Sequence, residues 1–397
     1  MFLRFLAAHN PGLIDYGIFL LEHGLIEPDT YVLDLDSITN NACRLGDVSA
    51  KHGINLYFMA KHMGRNPEIA RIVLDTGGAG KSGGFAGMVA VDFREAQFLH
   101  SAGLPVKHIG HLCQVPHNAW NAALDMKPDV ITLYSKEKAQ TLSDAAEKRG
   151  IVQKILLRVF DEGDIIYNGQ EGGFPIKNLA ETLDTLEKLK GISVAGLTSF
   201  PCFLHDEIQN KALPTSNAHT VARGAALLRE RGITNLHINM PSCNSLATIP
   251  LAAELGATHL EPGHSLIGTN PDNRGETNPL VPAILYMSEV SHHFDGCSCC
   301  FGGGYYRRGN LRHALVKTSA GKMETEVLTP SLEAIDYHLQ LSGIYPVGSP
   351  VCMAFRTQVF VTRSHVALVE GISQSMPSLR GIWNSHGQFI SGSKGWG

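Results

Sequence analysis

Short apolar runs alternate with longer amphipathic segments over most of the first 270 residues. The short runs have the length of buried β-strands, and the segments between them have helical periodicity. Asn66 precedes one helical segment as a capping residue, and glycines such as Gly103 and Gly150 follow others. The predicted strands are Leu56–Ala60, Gly87–Val91, Val106–Leu112, Asp129–Tyr134, Ile155–Phe160, Val194–Ser199, Leu236–Asn239 and His259–Glu261.

Eight strands that alternate with helices predict a (β/α)8 TIM barrel. An open, doubly wound sheet is the alternative that the same alternation allows. We expect the barrel domain to span residues 31–275, with Tyr31–Asp36 opening it. Residues 1–30 are expected to form a helical segment around Leu13–Glu22.

The pattern changes at Asn270–Pro282, a segment rich in Asn, Pro and Gly that marks a domain boundary. Beyond it, strand-like runs are separated by Gly and Pro. Residues 276–397 are therefore predicted to form a mostly β C-terminal domain. Its predicted strands are Ala283–Val290, Leu311–Thr318, Glu324–Leu328 and Val351–Thr362.

Composition narrows the functional classes. The chain has 397 residues, of which 44% are hydrophobic and 18% charged, so it can bury a large core. The formal net charge is −4 without a cluster of Lys and Arg, which argues against nucleic-acid binding. No long charge-free apolar run predicts a membrane span, and no signal peptide is recognised. Eight scattered cysteines suggest a reducing compartment, so we expect a cytoplasmic protein.

Candidate chemistry follows three of the predicted strands, at the end of a barrel where active sites lie. Lys61 comes directly after Leu56–Ala60. Burial would lower the pKa of its amine, as a Schiff-base lysine requires, although a surface lysine that starts a loop fits the same pattern.

The other two places follow the seventh and eighth strands, whose loops often bind phosphate in such barrels. Ser242, Cys243, Asn244 and Ser245 precede a helical segment and could form an anion site or a simple helix cap. The segment Glu261–Ser265 ends the last strand with a carboxylate, and Gly263 within it allows close backbone approach to a ligand.

These residues resemble the alanine racemase and ornithine decarboxylase superfamily, the fold-type III pyridoxal 5′-phosphate enzymes. Tyr31–Asp36, Met59–His62 and Glu261–Gly263 carry the resemblance. Asn66–Ala70 is similar to D-threonine aldolases and D-serine dehydratases. Over the whole chain, including Phe301–Arg308, the sequence is most similar to the YhfX-type group of alanine racemase-like proteins.

The resemblance implies a role for each matching position. Lys61 would bind pyridoxal phosphate, and Ser242–Ser245 with Gly263 and His264 would hold its phosphate. Glu261 would pair with the pyridinium nitrogen, as in the decarboxylases, where alanine racemases carry arginine. Such a carboxylate keeps the ring nitrogen protonated and strengthens the electron sink. The remaining positions are Phe200, where relatives stack a histidine on the ring, and Arg158, near the ring oxygen or the substrate.

The resemblance also implies a homodimer in which the partner's β domain closes the active site and supplies a second acid or base. Cys300, Tyr305 and Tyr306 are the candidates for that group. The implied activity is that of an amino-acid racemase or epimerase. The alternatives are an amino-acid decarboxylase, a D-threonine aldolase-like or D-serine dehydratase-like lyase, and a non-catalytic pyridoxal-phosphate carrier.

Two further segments have weaker signals. Asp75–Ser82 is similar to a nucleotide-binding loop but lacks its first glycine, so we interpret it as a flexible glycine-rich loop. The dense His and Cys cluster from His292 to Cys300 could bind zinc, but its Cys-x-Cys-Cys spacing differs from the common zinc pattern. No metal site is assigned to it.

Overall fold

The computed structural model describes residues 2–76, 84–275 and 277–392, so the glycine-rich run of residues 77–83 lies outside the described residues. The chain divides into two compact units. The barrel unit consists of Ala42–Ala60 and the described part of Ala70–Gly263. The sheet unit consists of Lys61–Ile69 and the described parts of Met1–Asn41 and His264–Gly397.

The helices of the described residues are α1 (Phe2–His9), α2 (Pro11–Glu22), α3 (Leu35–Lys51), α4 (Pro67–Thr76), α5 (Phe93–Ser101), α6 (Trp120–Asp125), α7 (Lys136–Lys148), α8 (Leu179–Leu186), α9 (Ser216–Glu230) and α10 (Thr248–Glu254). The strands are β1 (Thr30–Asp34), β2 (Asn55–Met59), β3 (Gly84–Val89), β4 (Val106–Ile109), β5 (Val130–Leu133), β6 (Gln153–Phe160), β7 (Phe174–Pro175), β8 (Ile192–Thr198), β9 (Phe203–Asp206), β10 (Lys211–Pro214), β11 (His237–Asn239), β12 (His259–Leu260), β13 (Ile284–Phe294), β14 (Cys297–Phe301), β15 (His313–Thr318), β16 (Gly321–Leu328), β17 (His338–Ser342), β18 (Pro350–Met353), β19 (His365–Glu370), β20 (Ser378–Asn384) and β21 (Phe389–Ser391).

The barrel unit is built on a closed parallel sheet. Its strands run in the order β2-β3-β4-β5-β6-β8-β11-β12, and β12 pairs with β2 to close the ring. This closure confirms the predicted (β/α)8 barrel and excludes the open sheet. The strands read as continuous apolar runs because parallel strands in a barrel are buried on both faces. A hairpin of β9 and β10 is inserted between β8 and α9.

Side-chain caps start several helices, and the sequence predicts the one at Asn66. The Asn66 Oδ1 atom accepts a hydrogen bond from the backbone N–H of Glu68 at 2.9 Å, at the start of α4. The hydroxyl of Ser135 accepts from Lys138 at the start of α7. Such caps satisfy backbone donors that have no partner within the helix, so they fix where a helix begins.

The sheet unit contains a mostly antiparallel sheet. Strands β13, β14, β17, β16, β15 and β18 form a closed ring, and β1, β19, β20 and β21 extend it from β13. The predicted mostly β C-terminal domain is thus confirmed. The predicted run Val351–Thr362 is only partly a strand, since β18 ends at Met353 and a short 3-10 helix covers Val359–Val361.

The strand expected to open the barrel lies in the sheet unit instead. β1 pairs antiparallel with β13, where Thr30 faces Met287, and parallel with β19, where Thr30 faces His365. All five residues of β1 are buried. An apolar run of this kind fits the interior of any sheet, and nothing within it specifies the partner strands.

Helices α1 and α2 cover one face of this sheet. The predicted helical segment is α2, and α1 precedes it. Leu6, Leu13 and Leu20 are completely buried in a core with Leu285 of β13 and Ala367 of β19. Among the helices of the described residues, none combines the length and the apolarity that crossing a bilayer requires.

Candidate active site

Glu261 follows β12 and is the centre of a buried polar cluster in the barrel unit. Its Oε1 atom accepts hydrogen bonds from His108 Nδ1 at 2.7 Å and from Asn239 Nδ2 at 2.8 Å. His111 Nε2 lies 3.3 Å from the other oxygen, Oε2. The backbone N–H of Glu261 donates to Asn244 Oδ1 at 2.8 Å. The strands β4, β11 and β12 end near one another, which brings these side chains together.

The surroundings of Glu261 favour its charged form. Burial raises the pKa of this carboxyl, but the imidazoles of His111 and His108 and the hydrogen bonds from His108 and Asn239 outweigh burial and lower the pKa to about 2. Its Oε2 atom has no hydrogen-bond partner among the described residues. The cluster therefore holds a buried carboxylate that still has one oxygen available for a donor.

His108 is oriented by contacts on both ring nitrogens. Its Nδ1 atom faces Glu261, and its Nε2 atom lies 2.6 Å from Thr132 Oγ1. Within the described residues, His108, His111 and Glu261 are the one group of possible metal ligands whose atoms lie within 4.8 Å of one another. Because a carboxylate only accepts hydrogen bonds, the 2.7 Å contact requires a proton on His108 Nδ1, which leaves that nitrogen no lone pair for a metal.

The predicted anion loop lies in the same unit. Ser242 and Cys243 both have positive φ angles, of 87° and 46°. Non-glycine residues rarely adopt such angles, and those that do cluster at active sites and ligand clamps. Asn244 ties the loop to β11 and β12, because its Nδ2 atom donates to the carbonyl of Met240 while its Oδ1 atom accepts from Glu261. Ser245 is buried and its backbone N–H donates to Thr248 Oγ1 at 2.8 Å.

Arg158 and Phe200 are both connected to His111. The buried Arg158 guanidinium donates to Tyr134 Oη at 2.6 Å, and Tyr134 Oη donates to the carbonyl of His111 at 2.5 Å. The ring of Phe200 meets the His111 ring edge to face, with centroids 5.8 Å apart. The structure thus joins Arg158, Phe200 and Glu261 in one network through His111, a residue that the sequence analysis missed.

Lys61 belongs to the sheet unit and lies in the 3-10 helix Ala60–Met63, directly after β2 in the chain. Its ammonium lies 6.0 Å from the centroid of the Phe360 ring. In the barrel unit, the backbone N–H of Met59 donates to the carbonyl of Pro262 at 3.1 Å. The strand that leads to Lys61 therefore ends beside the Glu261–Gly263 segment.

Two neutral histidines accompany Lys61 in the sheet unit. The rings of His62 and His264 stack with centroids 3.8 Å apart. Burial lowers the pKa of both imidazoles well below the usual value, and the Lys61 charge lowers both further. His62 donates from Nδ1 to the carbonyl of Thr357. The buried Nε2 atom of His264 has no hydrogen-bond partner among the described residues.

The candidate second acid or base residues differ in exposure. Cys300 is completely buried in β14, and burial raises the pKa of its thiol to about 12. A thiol in that state neither reaches a substrate nor exchanges protons near neutral pH. Tyr305 and Tyr306 are partly exposed, on the loop that follows β14. Among the described residues, the His292–Cys300 cluster does not bring three possible metal ligands within 4.8 Å of one another.

The loop before Tyr305 is anchored inside the sheet unit. Tyr31 Oη donates to the carbonyl of Gly304, and the N–H of Gly304 donates to Tyr286 Oη at 3.3 Å. Tyr286 Oη in turn donates to Asp29 Oδ1 at 3.0 Å. This buried chain of hydrogen bonds fixes the backbone from which the two tyrosines project.

Comparison with known proteins identifies the family. Residues 33–271 match the family model described as alanine racemase, N-terminal domain. Residues 285–379 match the YhfX-like, C-terminal domain model. The protein YhfX of Escherichia coli (strain K12) is 44% identical over 392 residues, which cover 98% of this chain and 100% of the relative. This chain belongs to the alanine racemase family, in its YhfX-like group. Members of that fold-type III family use pyridoxal phosphate.

Solved structures share the fold of this YhfX-like chain at low sequence identity. D-threonine aldolase from Filomicrobium marinum superimposes with a TM-score of 0.67 at 15% identity, over 91% of this chain and 95% of its own. D-threo-3-hydroxyaspartate dehydratase from Delftia sp. HT23 superimposes with a TM-score of 0.65 at 17% identity, over 89% of this chain and 97% of its own. Alanine racemase from Corynebacterium glutamicum superimposes with a TM-score of 0.59 at 16% identity, over 82% of this chain and 90% of its own. These similarities confirm the fold expected from the sequence.

Sequence reasoning missed His108, His111 and Asn239, because each lies within or directly after a short strand. One signal could have revealed the first two. His108 and His111 stand three residues apart where an apolar strand ends, and buried histidines there need a partner. The carboxylate of Glu261, after another strand of the same barrel, is the partner that they find.

Proposed function

We propose that this protein is a pyridoxal-phosphate-dependent enzyme that acts on an amino acid, with Lys61 as the residue that binds the cofactor. The buried Glu261 carboxylate is the observation that supports this proposal most strongly. Its lowered pKa favours the ionised form, and its Oε2 atom makes no hydrogen bond among the described residues. A protonated pyridine nitrogen is a donor that suits such an oxygen.

Other buried groups fit the remaining parts of the cofactor. The Nε2 atom of His264 suits a phosphate oxygen, since a neutral imidazole can donate an N–H there. The positive φ angles at Ser242 and Cys243 turn backbone N–H groups in a way that forms anion-binding concavities in proteins. With Gly263, Asn244 and Ser245, these residues are the proposed phosphate cradle.

The chemistry of the proposed reaction follows from these groups. Pyridoxal phosphate, when bound, withdraws electrons from the α-carbon of an amino acid. Glu261 would keep the ring nitrogen charged by accepting its hydrogen bond. The Lys61 amine would take or return the α-proton on one face of the α-carbon. Phe200 would contact the ring, and Arg158 would support the ring oxygen or the substrate.

The proposed activity is that of a racemase or epimerase, in which Tyr305 or Tyr306 serves the second face. Lyase chemistry on a D-hydroxy amino acid is the second candidate. Its support is the complete burial of Cys300. Racemisation needs a second base on the other face of the α-carbon and a lyase does not, so losing one candidate for that base favours the lyase. The protein from Filomicrobium marinum with the same fold is a D-threonine aldolase.

Borohydride reduction tests the assignment of Lys61. Protein incubated with pyridoxal phosphate and reduced should carry one covalent adduct, which peptide mass spectrometry should locate at Lys61. Lys61→Ala should carry none, while Lys51→Ala should match the unaltered protein. An adduct at another lysine would refute the assignment.

Proton exchange in deuterated water separates the candidate reactions. A racemase exchanges the α-proton of an amino acid and produces both enantiomers, which NMR and chiral chromatography detect. A lyase instead releases glycine and an aldehyde, or a keto acid and ammonia. If no amino acid exchanges or reacts while Lys61 carries the cofactor, the catalytic proposal fails and the carrier interpretation replaces it.

A further inference from the structure

The interior of the barrel has a polar layer near the N-terminal ends of its strands. Branched aliphatic side chains usually fill this part of a (β/α)8 barrel. Here Tyr57 of β2, His237 of β11 and His259 of β12 occupy it. The two imidazoles stack with centroids 3.4 Å apart and planes 9° apart, and Tyr57 lies 5.3 Å from His259.

A cavity of about 470 Å³ opens at this layer. Residues from the N-terminal ends of β5, β6, β11 and β12 line it, so it lies away from the strand ends that carry Glu261. Its volume falls in the range of small-molecule pockets. The polar residues that line it are Tyr57, Asp129, Lys154, Asn235, His237 and His259.

His237 lacks a hydrogen bond that its neighbour has. The Nε2 atom of His259 accepts from Asn55, and its Nδ1 atom faces Thr258 Oγ1 at 2.8 Å. The buried Nε2 atom of His237 has no partner anywhere in the described chain, although more than nine-tenths of the residue is buried. Buried polar groups in proteins are nearly always paired with protein, water or ligand atoms.

The charges around the cavity favour an anion. Asp129 is compensated, because the Lys107 ammonium lies 2.9 Å from one of its oxygens and Tyr57 donates to the other at 3.2 Å. The ammonium of Lys154 forms no hydrogen bond or ion pair with the residues that the structure describes. An uncompensated ammonium thus remains in the lining together with the unpaired His237 nitrogen.

We propose that this cavity is a second ligand site, which binds a small oxyanion, a phosphate or carboxylate group, between Lys154 and His237. The lysine supplies the charge and the imidazole an N–H donor. Burial lowers the pKa of His237 well below its usual value. The charges of His259, His108 and Lys154 lower this pKa further. The imidazole is therefore neutral near pH 7 and donates a single N–H.

Calorimetric titration of the protein with inorganic phosphate, and separately with malonate, tests this site. The protein is first saturated with pyridoxal phosphate, so that the proposed cofactor cradle does not take up the probe. Saturable binding of at least one of the two anions is expected. The anion that binds more tightly indicates whether the site prefers a phosphate or a carboxylate group. Lys154→Gln should weaken that binding about tenfold, because one charge-assisted contact is lost.

Matched variants keep the test decisive. Lys148→Gln alters an exposed lysine on α7 outside the cavity and should bind like the unaltered protein. His237→Gln retains an N–H and should bind more tightly than His237→Leu. If neither anion shows saturable binding, or if Lys154→Gln binds unchanged, the proposal is wrong. It is also wrong if Ser245→Ala, and not Lys154→Gln, abolishes binding, since the anion would then occupy the cofactor cradle.

Discussion

Glu261 illustrates how a few neighbours determine the state of a buried carboxylate. Burial alone would favour its neutral form. Two imidazoles and an amide reverse that preference, and their arrangement leaves Oε2 without a hydrogen bond among the described residues, with His111 Nε2 3.3 Å away. The proposed chemistry depends on this charge, because a neutral carboxyl would no longer keep a ring nitrogen protonated.

His108→Asn should raise the pKa of Glu261 by about one unit or more, because it removes a hydrogen bond and a nearby imidazole. NMR titration of the 13C-labelled carboxyl in the cofactor-free protein measures this shift. His100→Asn, on the exposed side of α5, is the control and should leave the titration unchanged. An unaltered Glu261 pKa in His108→Asn would show that His111 and Asn239 suffice.

Asp29 should make the protein less stable as the pH rises from about 4 to 6. Burial raises the pKa of this carboxyl to about 6, although hydrogen bonds from Ser364 and Tyr286 oppose the shift. A raised folded-state pKa means that the protonated form is the stabilising one. Its contribution, up to about 3 kcal/mol, is complete below the unfolded pKa and is lost as the pH passes 6.

Urea unfolding at several pH values, compared with Asp29→Asn, checks this expectation. The variant would carry no titratable carboxyl at this position, so the free energy of unfolding of Asp29→Asn should not fall for this reason between pH 4 and 6. Parallel stability curves for the two proteins over that interval would contradict the assignment. Asp15→Asn, an exposed position on α2, is the matched control.

At the scale of elements, the sequence predicted all eight barrel strands. Each is an apolar run of the right length followed by a helical segment, and that pattern depends only on local residues. The partners of β1 could not be predicted, since they lie more than 250 residues further along the chain. Glu261 could be singled out because a charge after an apolar strand is unusual. Its pairing with particular partners could not be predicted, because they come from other strands.

Gly303→Ala should destabilise the protein by about 2 kcal/mol or more. Its φ of 121° is unfavourable for alanine, and an added Cβ would lie 2.0 Å from an Asp29 carboxylate oxygen. Gly321→Ala is a close control, because Gly321 has a φ of 118° but no atom within 4 Å of an added Cβ. It should cost only about 1 kcal/mol, for the backbone alone.

Chemical denaturation of both variants gives the difference between their free energies of unfolding, which measures the clash of the added Cβ with Asp29. If the two substitutions lower the free energy of unfolding equally, the backbone at Gly303 does not lie tightly against Asp29. Because this loop carries Tyr305 and Tyr306, Gly303→Ala should also lower kcat if those tyrosines act in the reaction, whereas Gly321→Ala should not.

At the scale of the whole molecule, we propose a homodimer with two shared sites, each combining Lys61 of one chain with Tyr305 or Tyr306 of the other. Sedimentation should then give about twice the mass of one chain. Mixing Lys61→Ala with a Tyr305→Phe, Tyr306→Phe variant should restore part of the activity, because one site in each mixed dimer is intact. An active monomer would exclude this arrangement, and a dimer without restored activity would exclude the shared site.

The pairing of β1 also has a consequence for synthesis on the ribosome. Thr30 leaves the ribosome long before its partners Met287 and His365. At typical translation rates, about 10–50 s separate the first strand from the first partner. During that time the apolar faces of α1 and α2 have no sheet to cover, while every strand of the barrel emerges before β13. The barrel can thus fold first, and the nascent N-terminus is the segment that a chaperone would need to protect.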